Sequence, residues 1–144
     1  MAVDGSKASI DASAHAIDVA KKLDAELIAL YVVSPDTRYH YPEDTLTPKL
    51  SKAFKEILMI AMQSGEKNVN IVRQMAKQSN LKIKTDVVVG VSSVVKEILE
   101  YANKNNIDII VIGSRGLSGI KKMLLGSVAS GVVTYADCPV LVVK

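Results

Sequence analysis

The sequence predicts an α/β domain: a single, doubly wound, five-stranded parallel sheet flanked by four main helices. Two observations carry this. Strand-like apolar runs alternate with helical-period segments four times and a last strand closes the order, which calls for right-handed crossovers and a parallel sheet. The runs "AELIALYVV" and "IDIIVIG" are apolar throughout instead of alternating, the pattern of strands covered on both faces. A chain of 144 residues has the size of one domain, 1–144.

The elements follow in order. Ala2 to Asp4 reads as the stub of a first strand. Behind it, "GSKASIDASAHAIDVAKKL" places Ile10, Ala14, Ile17, Ala20 and Leu23 on one helical face. "AELIALYVV" is the second strand and closes at Ser34 and Pro35. Ser34 to Pro48, with three prolines and a Tyr39-His40-Tyr41 cluster, reads as a long surface loop or a lid. From Lys49 to Ser79 the period is helical again, with Leu50, Phe54, Ile57, Leu58, Ala61, Val69, Val72 and Met75 inward and Asn80 as the stop. "LKIKTDVVVG" is the third strand, and "VSSVVKEILEYANKNN" a helix with Ser92 or Ser93 at its start. "IDIIVIG" is the fourth strand, "SVASGVVTYA" the last helix, and "CPVLVVK" the fifth strand, entered through Pro139.

Composition narrows the function classes. A net charge of +3 with dispersed lysines gives no electrostatic case for nucleic acid. Cys138 is the only cysteine, so no internal disulfide can form and a reducing compartment is expected. No apolar run approaches the roughly 20 residues of a membrane helix, and no signal-peptide pattern is seen, so a cytoplasmic protein without membrane contact is expected. His15 and His40 have no acidic or cysteine partner at ligand spacing, and no protein metal site is assigned.

The glycines of "IDIIVIGSRGLSGIKKMLLGSVASGVV" pose the functional question. They follow a buried strand and lead into a helix, where loop and helix-start N–H groups can point at an anion. Gly113 and Gly116 would let the backbone approach a pyrophosphate, and Ser127 would cap the last helix and offer its hydroxyl. Neither the P-loop nor the dinucleotide fingerprint is present. On spacing alone, turn-making and phosphate-binding both fit. Asp4 would reach the same sheet edge if the first and fourth strands are neighbours; its other reading is a helix cap beside Ser6.

"VDGS", "IIVIGSRG" and "LLGSVASGVV" followed by "CPVLVVK" resemble the universal stress protein family in its nucleotide-binding branch, whose fold is adenine nucleotide alpha hydrolase-like. The similarity runs through the whole chain in element order. Its most specific part is G-x-x-G, nine residues, G-[ST], filled by Gly113, Gly116, Gly126 and Ser127. The resemblance implies that Ala2 and Asp4 lie against adenosine and that Val32 packs on adenine. It also implies that Gly113, Ser114, Arg115, Gly116, Leu117, Ser118 and Gly119, with Gly126, Ser127, Val128 and Ala129, hold the ribose and phosphates. A phosphate contact from the Arg115 guanidinium is expected from its chemistry instead. Relatives carry several more apolar residues before the pair matching Val3 and Asp4, so a longer first strand, with an upstream start, is expected.

An ATP-binding stress-response protein follows as the leading expectation, with ATP-bound and empty forms engaging different partners. Mg²⁺ or Mn²⁺ would be held mainly by the phosphates. No Glu, His or Gln lies beside the loop to orient a water, so hydrolysis is expected to be slow or absent. The alternative is an adenylate-forming or ATP-hydrolysing enzyme of the related adenine-nucleotide folds, whose glycine-serine loop "VDGSKAS" loosely resembles. A third reading is a structural dimer without ligand. The apolar last strand would expose an unpaired edge, and a homodimer through Val140 to Val143 is expected, as in relatives.

Overall fold

Three residues, Met1 to Val3, hold the centre of the fold together. The computed structural model of the chain describes residues 1–34, 48–117 and 125–144. Tyr39, His40 and Tyr41, Lys121 and Lys122, and most of the loop expected from Ser34 to Pro48 lie outside the described residues. Strand β1 (Leu27–Val33) pairs in parallel with β2 (Ile83–Val89), Leu27 opposite Ile83. Strand β3 (Ile110–Gly113) pairs in parallel with β4 (Val140–Val143), Ile110 opposite Val140. Between the two pairs, the Ala2 N–H donates to the Val111 carbonyl at 3.0 Å and the Val3 N–H to the Leu30 carbonyl at 2.8 Å.

Of the five strands expected, four are formed among the described residues, as two parallel pairs, and the N-terminal stub contributes one isolated bridge, Ala2 to Leu30. A ladder needs several consecutive pairs, and the three residues before Asp4 supply too few.

Four helices cover the strands. Helix α1 (Lys7–Leu23) starts at Ser6, whose hydroxyl accepts the Ser9 N–H, and stops at Asp24, left-handed at φ 50°. Its buried face is Ser9, Ala12, Ser13, Ala16, Ile17 and Ala20, whereas Ala14 is exposed and Leu23 is 68% exposed. The expected face was thus rotated. Small side chains, not the largest apolar ones, let α1 lie close on β3, and periodicity counts hydrophobicity but not approach distance.

Helix α2 (Pro48–Gln78) also departs from expectation. Val69, Val72 and Ala76 are fully buried, but Phe54 is 45% and Ile57 65% exposed, and Leu58 and Ala61 are half-buried. The side chain of Leu50 lies outside the described residues. Length explains the difference: 31 residues of helix span about 46 Å at ~1.5 Å each, and a seven-residue strand about 23 Å. The helix overshoots β1 and β2 at its N-terminal half. It ends before Asn80, left-handed at φ 56°, as the sequence suggested.

Helix α3 (Val94–Lys104) is capped by Ser93, whose hydroxyl accepts the Lys96 N–H. Helix α4 (Ser127–Tyr135) leads through Pro139 into β4. One apolar cluster joins α1 and α2 to Leu27, Val111 and Val143. A second joins α3 and α4 to Leu30, Ile110 and Ile112. The two clusters are the two faces of the parallel strands.

Candidate functional site

Beyond the carboxyl ends of β1 and β3 opens a cleft of roughly 380 Å³. Parallel α/β folds place ligands at such an end, because loops and helix starts there present backbone N–H groups outward. Of the residues singled out from sequence, Ala2, Asp4, Val32, Gly113, Arg115, Gly116, Leu117, Gly126, Ser127, Val128 and Ala129 line it. Ser118 and Gly119 lie outside the described residues. Ser114 is buried and does not line the cleft: its N–H donates to Val143 at 2.6 Å and its carbonyl accepts the Gly126 N–H at 2.8 Å. Through this residue the two glycine segments and β4 are tied together.

Two of the glycines also make room within the protein. A Cβ on Gly113 would sit 2.8 Å from the Ala8 backbone, so this glycine admits the first turn of α1. A Cβ on Gly116 would sit 2.8 Å from Asp4 Oδ2, so this one admits the carboxylate. Close packing of the protein on itself is thus a reason for glycine at both positions, and both also line the cleft. Gly126 is different. Among the described residues its Cβ would meet nothing nearer than 3.5 Å.

The start of α4 lacks a side-chain cap. The N-cap is Gly126, not the expected Ser127, which is the first helical residue and is exposed. Gly126 makes no side-chain cap bond, so the N–H groups of Ser127, Val128 and Ala129 have no partner among the described hydrogen bonds. All three residues line the cleft. Arg115, exposed, adds a cation to the same wall.

Asp4 is fixed before any ligand arrives. Its N–H donates to Ser9 Oγ at 3.1 Å, and its Oδ1 accepts the Ser6 N–H at 2.8 Å. Oδ2 is left facing the Gly116 segment. Both readings of Asp4 meet here, since the carboxylate braces the start of α1 and lines the cleft. Ser9, which sequence reasoning passed over, is buried and lines the cleft too. Its signal was present: Ser9 and Ser13 are two serines one turn apart on the side of α1 that carries Ala12 and Ala16. Ala61 was read as a core residue but reaches the cleft because α2 overshoots.

The apolar end is formed by Val32, Val33, Val94 and Ile98. Two contacts of α3 hold the last pair in place. Glu97 accepts the N–H groups of Val91 and Ser92 at 3.0 Å each and the Ser92 hydroxyl at 2.7 Å. These bonds, the hydroxyl foremost, hold its carboxyl below the usual glutamate range. Tyr101 donates to Asp86 Oδ2 at 3.0 Å, and burial, with that carboxylate, pushes its phenol up to about 12. Among the described residues no three His, Cys, Asp or Glu side chains are grouped to hold a metal, and no helix is long and apolar enough to cross a membrane.

Parallel strands covered on two faces, with a mainly apolar cleft that carries a few polar groups at their carboxyl ends, define an α/β protein with a ligand-type crevice. Comparison with known proteins narrows that class. The family model described as the universal stress protein family matches residues 1–144. The chain belongs to the universal stress protein family. It is 40% identical over 141 residues to a universal stress protein of Methanocaldococcus jannaschii, covering 98% of this chain and 78% of that one. Among solved structures, the universal stress protein UspA from Lactobacillus plantarum superposes with a TM-score of 0.85 at 31% identity, covering 99% of this chain and 94% of that one. A universal stress protein solved in complex with cAMP superposes with a TM-score of 0.66 at 26% identity, covering 100% and 94%.

Proposed function

We propose that this protein, one domain over residues 1–144, is an ATP-binding universal stress protein of the cytoplasm. It acts as a nucleotide-dependent switch with little or slow intrinsic hydrolysis. The observation that carries the reading is the uncapped start of α4, whose free N–H groups face a cleft that also holds Arg115 and an apolar end. Phosphates belong at Gly126 to Ala129 and Arg115, the base against Val32, and the ribose near Asp4 and Gly116. The related structure with bound cAMP supports an adenine nucleotide as the ligand class. Asp4 is the only carboxylate among the described residues that line the cleft, so Mg²⁺ or Mn²⁺ would be held mainly by phosphate oxygens.

The enzyme reading finds less support. The glycine-serine turn that would serve as its phosphate loop is occupied, since the Ser6 hydroxyl caps α1 and reaches the Arg115 carbonyl at 3.5 Å. Strand β4 pairs with β3 on one edge and with no described strand on the other, which supports a homodimer through Val140 to Val143.

The test is mass spectrometry of nucleotide released from freshly purified, denatured protein, with ATP titrated against the native chain and Gly126→Val. Adenine nucleotide should be released, and the variant, whose branched side chain crowds the Ser114 to Gly116 segment, should bind at least about ten-fold more weakly. Equal ATP binding by both proteins would sink the phosphate assignment. A melting temperature indifferent to ATP, with no nucleotide released, would favour a purely structural dimer.

A further inference from the structure

One buried side chain in the cleft has a proton to donate and no acceptor for it among the described residues. Ser9 is 3% exposed and lines the cleft. Its Oγ accepts the Asp4 N–H at 3.1 Å, but its hydroxyl donates to no described group. Ser13, one turn further along α1, shows what a serine in a helix ordinarily does: fully buried, it donates its hydroxyl to the Ser9 carbonyl at 2.8 Å. Ser9 makes no such bond to its own helix. A buried hydroxyl without an acceptor is costly, so in the wall of a cleft it marks the place of a ligand oxygen.

Asp4 supplies the complementary half. Its Oδ1 is taken by the Ser6 N–H, whereas Oδ2 accepts no described hydrogen bond and lies beside Gly116. A free hydroxyl donor and a free carboxylate acceptor, joined through one residue, match a group that both accepts and donates. An alcohol does this. A phosphate oxygen only accepts, and it would meet Oδ2 with like charge.

The order of the strands fixes which part of a nucleotide this is. Val32 lies on β1, Asp4 follows the Ala2 to Val3 segment bonded to both β1 and β3, and Gly113 ends β3. Across the cleft, the apolar end comes first, then Asp4 with Ser9, then the glycine segment and the start of α4. The sugar of a nucleotide has the same middle place between base and phosphates. We infer that Ser9 is a specificity-determining residue that reads the sugar: its hydroxyl donates to one oxygen of the ribose diol while Asp4 Oδ2 accepts from the same diol. The cleft thereby selects ribonucleotides over nucleotides that lack the 2′ and 3′ hydroxyls. This rests on the nucleotide reading of the cleft and adds to it the residue that selects the sugar.

The test measures the Kd of ATP and of 2′,3′-dideoxy-ATP by calorimetric titration for the native chain, Ser9→Ala and Ser13→Ala. The native chain should bind the dideoxy nucleotide at least about ten-fold more weakly than ATP, because the analogue leaves the Ser9 donor and the Asp4 acceptor unpaired. Ser9→Ala should lose about five- to ten-fold in ATP affinity with the dideoxy affinity unchanged, so the discrimination narrows. Ser13→Ala removes a hydroxyl spent inside α1 and should keep the native ratio, whatever it does to stability. Equal native affinity for the two nucleotides overturns the inference without any variant, and so does a Ser9→Ala protein that binds ATP with the native ratio. A native chain that binds neither nucleotide sinks the nucleotide reading itself, and the inference falls with it.

Discussion

The two ends of the strands are built on opposite plans. At the carboxyl end the chain uses up its own polar groups almost completely: Asp4 is held by Ser6 and Ser9, and Ser114 by Val143 and Gly126. Among the described residues, the first turn of α4 and the Arg115 side chain are left with free donors. At the amino end apolar side chains close in around the strands, Val19 and Ala20 from α1 and Ile98 and Ala102 from α3. A site for a small charged ligand needs a few free donors in a fixed frame, which the carboxyl end supplies.

The largest expected effect separates frame from donors. Gly113→Val forces side-chain atoms onto the Ala8 backbone, which cannot rotate away, so the loss of stability should reach about 3 kcal/mol or more. Urea unfolding would measure it. ATP binding should fall only as far as folding does, because this glycine belongs to the frame. If Gly113→Val folds normally yet loses ATP, the division between frame and donors is wrong.

Ser127→Asp probes the donors directly. A carboxylate in the first turn of α4 complements the helix dipole, so stability should hold or rise by about 0.5 kcal/mol. The same charge occupies the place proposed for a phosphate, and ATP affinity should drop at least about ten-fold. Calorimetric titration beside a melting curve would show the two moving in opposite directions. Arg115→Ala should have a milder effect, roughly three- to ten-fold in ATP affinity. That loss should shrink in high salt, since the side chain is exposed.

These contrasts also mark what the sequence could disclose. Element order, the Asn80 stop, a serine cap at Ser92 or Ser93 and most cleft residues were legible, because turn chemistry and apolar runs are local. What Gly113 and Gly116 make room for within the protein was not. A missing Cβ is visible in sequence, but what would have collided with it, Ala8 or Asp4, is a matter of tertiary contact. The same holds for Phe54 and Ile57, whose helical period is sound. Their exposure depends on where β1 and β2 end.

The smallest expected effect concerns the brace under the apolar wall of the cleft. Glu97 accepts three hydrogen bonds from Val91 and Ser92, and its carboxyl is held below the usual value near 4.5, the Ser92 hydroxyl contributing most. A depressed carboxylate binds fewer protons in the folded than in the unfolded chain. Its contribution is therefore fully present above the unfolded value and is lost as pH falls through the folded one. Glu97→Gln keeps an acceptor oxygen in place but removes the charge, so it should lower stability by about 1 kcal/mol or less at pH 7. Urea unfolding at pH 7 and pH 3 should show the gap between native and variant narrowing at the lower pH. A gap of the same size at both would mean that Glu97 acts through shape, and that the charge contributes nothing to holding Val94 and Ile98 against the cleft.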